Sequence, residues 1–225
     1  MGSLDCRLTM SNSKVQQWRE WLQILNNEVT MLYLHRHIWR VMATTIDGNP
    51  GIPRSYAMNF LYAAYTTSQA VAVRRLIDTD RRVVSFVRLL NAIKADPHEL
   101  TARQVLPPDR AFEASAWEFR YAGSKPGGYV DPSLAARHLA TLEARVGPIR
   151  DYVNQHAAHL NVNPLTNIPA YQDLNAAIDC LVDLGIECHR LLHNADLLVS
   201  AVPKAIGDFM APFRVPWLEA VRRRG

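Results

Sequence analysis

The sequence predicts an all-α protein: a single-domain helical bundle of long helices with a C-terminal tail rich in proline and aromatic residues. Three observations predict it. Apolar residues recur at three- and four-residue steps through most of the chain. Prolines and glycines gather between the periodic stretches, where they punctuate helices. No segment shows the period-two alternation with β-branched enrichment that marks a strand.

The periodic stretches follow in order. Residues 14–45 carry Trp18, Leu22, Leu25, Val29, Leu32 and Trp39 on one stripe, and a run from Asp47 to Pro53 breaks the chain. Residues 55–77 carry Phe60, Ala64, Ala70 and Val73 among small and aromatic residues, the pattern of a helix buried on several sides. Residues 81–95 place Val84, Val87, Leu90 and Ile93 inward, and Asp96-Pro97 stops the run. A short helix is expected at 101–105. Another is expected over 109–120 after Pro107-Pro108, with Phe112, Ala116 and Phe119 inward. Asp131-Pro132-Ser133 opens a helix toward Arg145, and Gly147-Pro148 ends or kinks it. A further stretch covers 148–161, and the last long helix covers 171–202. Phe209, Phe213 and Trp217 lie among Pro203, Pro212 and Pro216, and are expected to pack back on the body.

At 48% hydrophobic and 20% charged residues, the composition is that of a globular domain and not of a disordered chain. The expected organisation is a disordered segment at 1–12 followed by one helical domain over 13–225. The polar N-terminus lacks the apolar stretch of a signal peptide, and no apolar run is long enough to span a bilayer. Three cysteines, Cys6, Cys180 and Cys188, are too few for a disulfide framework and point to a reducing compartment, so the expected location is the cytoplasm. A net charge of +4 leans mildly toward anionic partners. Phosphate-binding glycine loops, G-x-S-x-G, G-x-G-x-x-G and CxxC are all absent from the sequence, which removes the common nucleotide-triphosphatase, hydrolase and zinc-finger readings. No cofactor is expected.

Four constellations carry candidate chemistry. In the stretch from Pro148 to His159, the apolar residues Val146, Ile149, Val153, Ala157 and Leu160 define one buried face. In a regular α-helix Arg150 and Asn154 stand about 60° and 100° to one side of Val153, while Tyr152, His156 and His159 stand about 60° to 120° to the other. One helix therefore cannot bring Arg150 and His156 to one phosphate, but a second copy in a homodimer could. A histidine near neutral pH can move a proton to or from a 2′-hydroxyl or a leaving oxygen, and an arginine fork can hold a phosphate. If Pro148 is the first helical residue, free N–H groups near Arg150 add an anion site. The bland alternative is a solvated surface helix.

His189 and His193 stand one turn apart beside Glu187 and Cys188, but with no matching ligand pair elsewhere a structural role outweighs a metal. His35, Arg36, His37 and Arg40 could touch a nucleic-acid backbone or simply form the polar face of a long helix. Arg74, Arg75, Asp78, Asp80, Arg81 and Arg82 have the spacing of ion pairs that fix a turn between helices.

Several stretches together resemble a known family. They are Arg74-Arg75-Leu76-Ile77-Asp78, Val84-Ser85-Phe86, Arg88-Leu89-Leu90 and Leu100-Thr101-Ala102-Arg103, then Arg150 to His159 with its Ala158-His159 pair, and Pro212-Phe213-Arg214-Val215-Pro216-Trp217. Over roughly residues 34–217 the chain resembles the abortive-infection, AbiU-type branch of the HEPN superfamily. The resemblance implies a helical bundle, often dimeric, in a superfamily where many members are metal-independent ribonucleases. Those members carry Arg, four to six residues, then His. Arg150, Asp151 and His156 fit that spacing; in the register that ends on His159, Asn154 takes the arginine's place. The site residues implied are Arg150, Asp151, Asn154, His156 and His159 for catalysis, and Arg150, Tyr152 and Gln155 for RNA phosphate. The implied partners are RNA, a second copy and an antitoxin or other protein. A non-catalytic module binding RNA, nucleotide or protein is the alternative.

Overall fold

The computed structural model describes residues 5–48, 55–123, 127–157, 168–197 and 199, with side chains of 5–13 and 156–157 outside the description. Among the described residues seven α-helices follow in order: α1 Asp5–Asp47, α2 Tyr56–Leu76, α3 Phe86–Ala95, α4 Ala102–Val105, α5 Ala114–Tyr121, α6 Pro132–Tyr152 and α7 Tyr171–His193. Short 3-10 turns occupy Pro97–Glu99 and Pro108–Glu113, and a π-turn, Val153–Ala157, continues α6. Among the described residues there is no strand, only an isolated bridge between Thr101 and Tyr129. The all-α expectation is met. The helix of α1 takes in part of the 1–12 segment set apart in sequence, and the aromatic tail lies outside the described residues.

α1 and α7 form the spine. Trp18, Leu22, Leu25, Val29 and Leu32 are all buried, as their spacing requires. They meet Ile178, Leu181 and Leu192 of α7 in one cluster with Phe86, Leu89, Leu90 and Ile93 of α3 and Leu142, Val146 and Ile149 of α6. The two spine helices run antiparallel. Arg19 donates to the Leu192 carbonyl at 3.0 Å, Asn26 meets His189 Nδ1 at 3.2 Å, and Arg36 donates to the Asn175 carbonyl at 3.2 Å. At the other end Trp39 stacks on Tyr65 of α2, 4.7 Å between ring centroids.

Helix ends follow sequence chemistry. Ser85 accepts the Arg88 N–H and donates to the Asp78 carbonyl, capping α3 and closing the loop before it. Asp131 accepts the Ser133 N–H ahead of Pro132, which opens α6. The Asp173 carboxylate accepts the Ala170 N–H at the start of α7.

Several expectations are corrected. α3 begins at Phe86, not near residue 81, because Ser85 caps it; Phe86 and Leu89 fill the core, while Val84 and Val87 are half-buried. Over 109–120 the chain is a 3-10 turn, non-helical at Arg110, and then α5. Phe112, Ala116 and Phe119 are all exposed, Phe112 and Phe119 at 80% and 76%, so the stripe expected inward faces solvent and Trp117 and Tyr121 are buried instead. In α2, Ala70 and Val73 are buried, but Phe60 and Ala64 are exposed: only the C-terminal third of the helix packs into the core. Gly147-Pro148 neither ends nor visibly breaks α6, which continues to Tyr152. α7 stops at His193 rather than near 202 because Asn194 turns left-handed, φ 48°, and closes the helix with its N–H on the Arg190 carbonyl.

Candidate functional site

The candidate site lies where α6 passes into the π-turn. Val146, Ile149 and Val153 are buried and seat this segment against the core. The flanking polar residues are thereby fixed at its edge. Pro148 lies inside α6, so the helix N-terminus expected beside Arg150 does not exist, and no free N–H cluster adds an anion site there.

Arg150 is held by two carboxylates. Its two terminal nitrogens donate to the Glu143 oxygens at 2.8 and 2.9 Å, and Nε donates to Asp151 at 2.9 Å. Glu143 first, then Asp151, raises the guanidinium pKa, and Arg150 in turn lowers that of the Glu143 carboxyl. Glu143 and Arg150 are two turns apart, and Gly147 lies between them. A Cβ at Gly147 would come within 3.2 Å of Glu143 Oε1, so the missing side chain leaves the pair room to close. The arginine is about three-quarters buried, whereas Glu143 and Asp151 are 66% and 55% exposed. The Glu143 bridge is bidentate, so an incoming anion has to compete with it for the fork.

Asn154 is tied to another helix. Its Oδ1 accepts from Arg74 Nε at 2.9 Å, while Arg74 also pairs with Asp78 at 2.7 Å. Tyr152 is half-buried and packs against the core; Gln155 is exposed. The side chain of His156 and all of His159 lie outside the described residues. The backbone still constrains His156. In a regular α-helix positions 150 and 156 stand about 120° apart around the axis. The π-turn over Val153–Ala157 takes one more residue per turn, so it rotates less per residue and widens that separation. The backbone positions 150 and 156 therefore lie on different sides of one segment.

Three participants were missed in the sequence. Glu143 was readable only as an acid two turns before Arg150 across a glycine. Gly147 looked like punctuation. Arg74 was assigned to the Asp78 turn, which it does form, but its second partner is 80 residues away. The Asp80–Arg82 pair completes that turn.

In the other constellations several residues have structural partners. Arg36 is 3% exposed, bonded to the Asn175 carbonyl and paired with Asp179 at 2.6 Å, so it is a core tie and not a nucleic-acid contact. His189 and His193 stack at 4.6 Å, and His189 bonds Asn26. Among the described residues no group of three or more His, Cys, Asp or Glu side chains could hold a metal. A polar groove of about 870 Å³ runs between α6 and α7, past His138, Arg145, Asp183 and Arg190, and Arg150 is not among its walls.

The class this defines is an all-α protein with an arginine-centred polar cluster at the end of a core helix. The HEPN AbiU2 family model matches residues 16–209, and the chain belongs to that family, in the abortive-infection branch of the HEPN superfamily. No curated protein and no solved structure matches the chain. No helix among the described residues is long and apolar enough to cross a membrane.

Proposed function

We propose that this chain is a phage-defence effector, of abortive-infection or toxin–antitoxin type, that cleaves RNA without a metal through Arg150 and His156 contributed across a homodimer. The observation that carries the reading is the combination of family membership with an Arg150-Asp151…His156 spacing on a segment anchored in the core. Arg150 supplies a charged fork, the group a scissile phosphate needs, and the phosphate takes the place of Glu143 on it. A histidine of the second copy, His156 or in the other register His159, takes the 2′-hydroxyl proton or gives one to the leaving oxygen. Attack of the 2′-oxygen on phosphorus breaks the bond to the 5′-oxygen and leaves a cyclic phosphate. Asp151 holds the Arg150 fork in place, and Asn154, Tyr152 and Gln155 flank the RNA path. In the cell an antitoxin or other protein partner restrains the activity.

A second reading is favoured by one observation: the Arg150 guanidinium already has carboxylates at all three of its nitrogens. On that reading the chain is a non-catalytic module that binds RNA, nucleotide or protein.

The test is incubation of the purified chain with total bacterial RNA in EDTA, beside Arg150→Ala, His156→Ala and His159→Ala. Loss of cleavage in the arginine variant and in one histidine variant supports the nuclease and identifies the register. No cleavage by a correctly folded wild type rejects the nuclease and leaves the binding module.

A further inference from the structure

Glutamate and arginine on one helix normally pair three or four residues apart, where their side chains are neighbours. Glu143 and Arg150 are two turns apart, about 10 Å along the axis of α6. They meet all the same: Arg150 Nη1 donates to Glu143 Oε2 at 2.8 Å, and Nη2 donates to Oε1 at 2.9 Å. The bridge lies over the intervening turn, and Gly147 is the residue beneath it. A Cβ at that position would have as its three nearest atoms Glu143 Oε1 at 3.2 Å, Glu143 Cδ at 3.5 Å and Arg150 Nη2 at 3.7 Å. Gly147 is buried inside the helix, where alanine is the more stabilising residue. What glycine offers there is room for the bridge.

We propose that Glu143 is a built-in competitor for RNA phosphate: it holds the Arg150 fork in the place of a phosphodiester and thereby sets how tightly the site binds RNA. The inference rests on the phosphate role given to Arg150 above. Carboxylate and phosphate both offer an arginine fork two oxygens side by side, so one can stand in for the other. Nε of Arg150 is held by Asp151 at 2.9 Å, which leaves the edge with Nη1 and Nη2 as the place of exchange. That edge fits an oxyanion with two free oxygens, such as the non-bridging pair of a phosphodiester, better than a single-point anion.

The two partners of the bridge are held differently. Arg150 is 23% exposed and stands between buried Ile149 and Val153, whereas Glu143 is 66% exposed. The fork stays in place, and the carboxylate is the partner that can turn away into water. Two acids on one arginine also leave the cluster with an excess of negative charge, which opposes an incoming phosphate. An isolated phosphate gains little by replacing a carboxylate on the same fork. An RNA strand held at further points meets the fork at a high effective concentration and does displace it.

The experiment is fluorescence anisotropy with a short labelled 2′-O-methyl RNA, titrated with the full chain at one fixed ionic strength. This RNA lacks the attacking hydroxyl, so it reports binding and not cleavage. Wild type is compared with Glu143→Gln, Glu143→Asp, Arg150→Ala and the double variant Glu143→Gln/Arg150→Ala, each checked for helix content by circular dichroism. Glu143→Gln removes the charge and keeps the shape. Glu143→Asp keeps the charge and is one methylene too short to span two turns. Both should bind the RNA about 3- to 10-fold more tightly than wild type, the range of an exposed but bidentate ion pair. The double variant should bind no better than Arg150→Ala, because the competitor acts only through the fork. Unchanged affinity in both Glu143 variants, with weaker binding by Arg150→Ala, overturns the proposal and leaves the Arg150 phosphate site standing. Tighter binding in Glu143→Gln alone also overturns it, since general repulsion and not occupancy of the fork is then the cause. Equal binding by Arg150→Ala and wild type overturns both the competitor and the phosphate role of Arg150.

Discussion

Replacing Arg74 by methionine tests whether the candidate site is steadied from α2. The substitution keeps the apolar stem and removes the donors. Two interactions are lost: Nε to Asn154 at 2.9 Å and the 2.7 Å pair with Asp78. Hydrogen bonds to charged groups contribute about 1.5–3 kcal/mol each when shielded. Arg74 is 36% exposed, so screening brings the two together down to about 1–2 kcal/mol. Asp78 keeps the Asp80 N–H at 3.0 Å and is not left bare. For a chain of this size that loss lowers the Tm by about 2–8 °C. The sharper readout is a double-mutant cycle with Asn154→Ala in chemical denaturation, where a direct bond gives a coupling of about 0.5–1.5 kcal/mol. Amide exchange over Val153–Ala157 should quicken in either single variant, because the π-turn loses its tie to α2. Additive effects, with coupling near zero and unchanged exchange in that turn, would refute the reasoning.

Two further outcomes follow from the packing and the buried histidines. Trp117→Ala should cost about 3–5 kcal/mol, from lost burial and the lost 3.1 Å bond to the Leu191 carbonyl, while Phe112→Ser should stay within about 0.5 kcal/mol; equal losses in urea titrations would mean the α5 register is misassigned. Burial first, then the charges of His189 and Arg19, pushes His193 down to about 4. Between that value and the ordinary value near 6.5, the unfolded chain binds a proton that the folded chain refuses, so stability rises with pH there and is lost as pH falls. Because His193 is only half-buried, the loss across the window is about 1–2 kcal/mol, and His193→Gln should flatten it in melts at stepped pH; an unchanged slope would remove His193 as the cause.

The sequence by itself determined the all-α class, the core stripe of α1 from Trp18 to Leu32 and the start of α6 at Asp131-Pro132. These rest on periodicity and capping, which act within a few residues. Family membership was legible too, through short motifs in a fixed order. It also placed Arg150 beside the buried face through Ile149 and Val153. Tertiary structure decided what distance in sequence hides. Arg74 reaches Asn154 only because α2 packs on the end of α6. Arg36 is a buried tie only because α7 brings Asn175 and Asp179 against it. Phe60 faces water although its helix reads as core, because an apolar stripe states a preference for burial and only the neighbouring helices decide whether anything covers it. The outward face of α2 is such a remainder among the described residues.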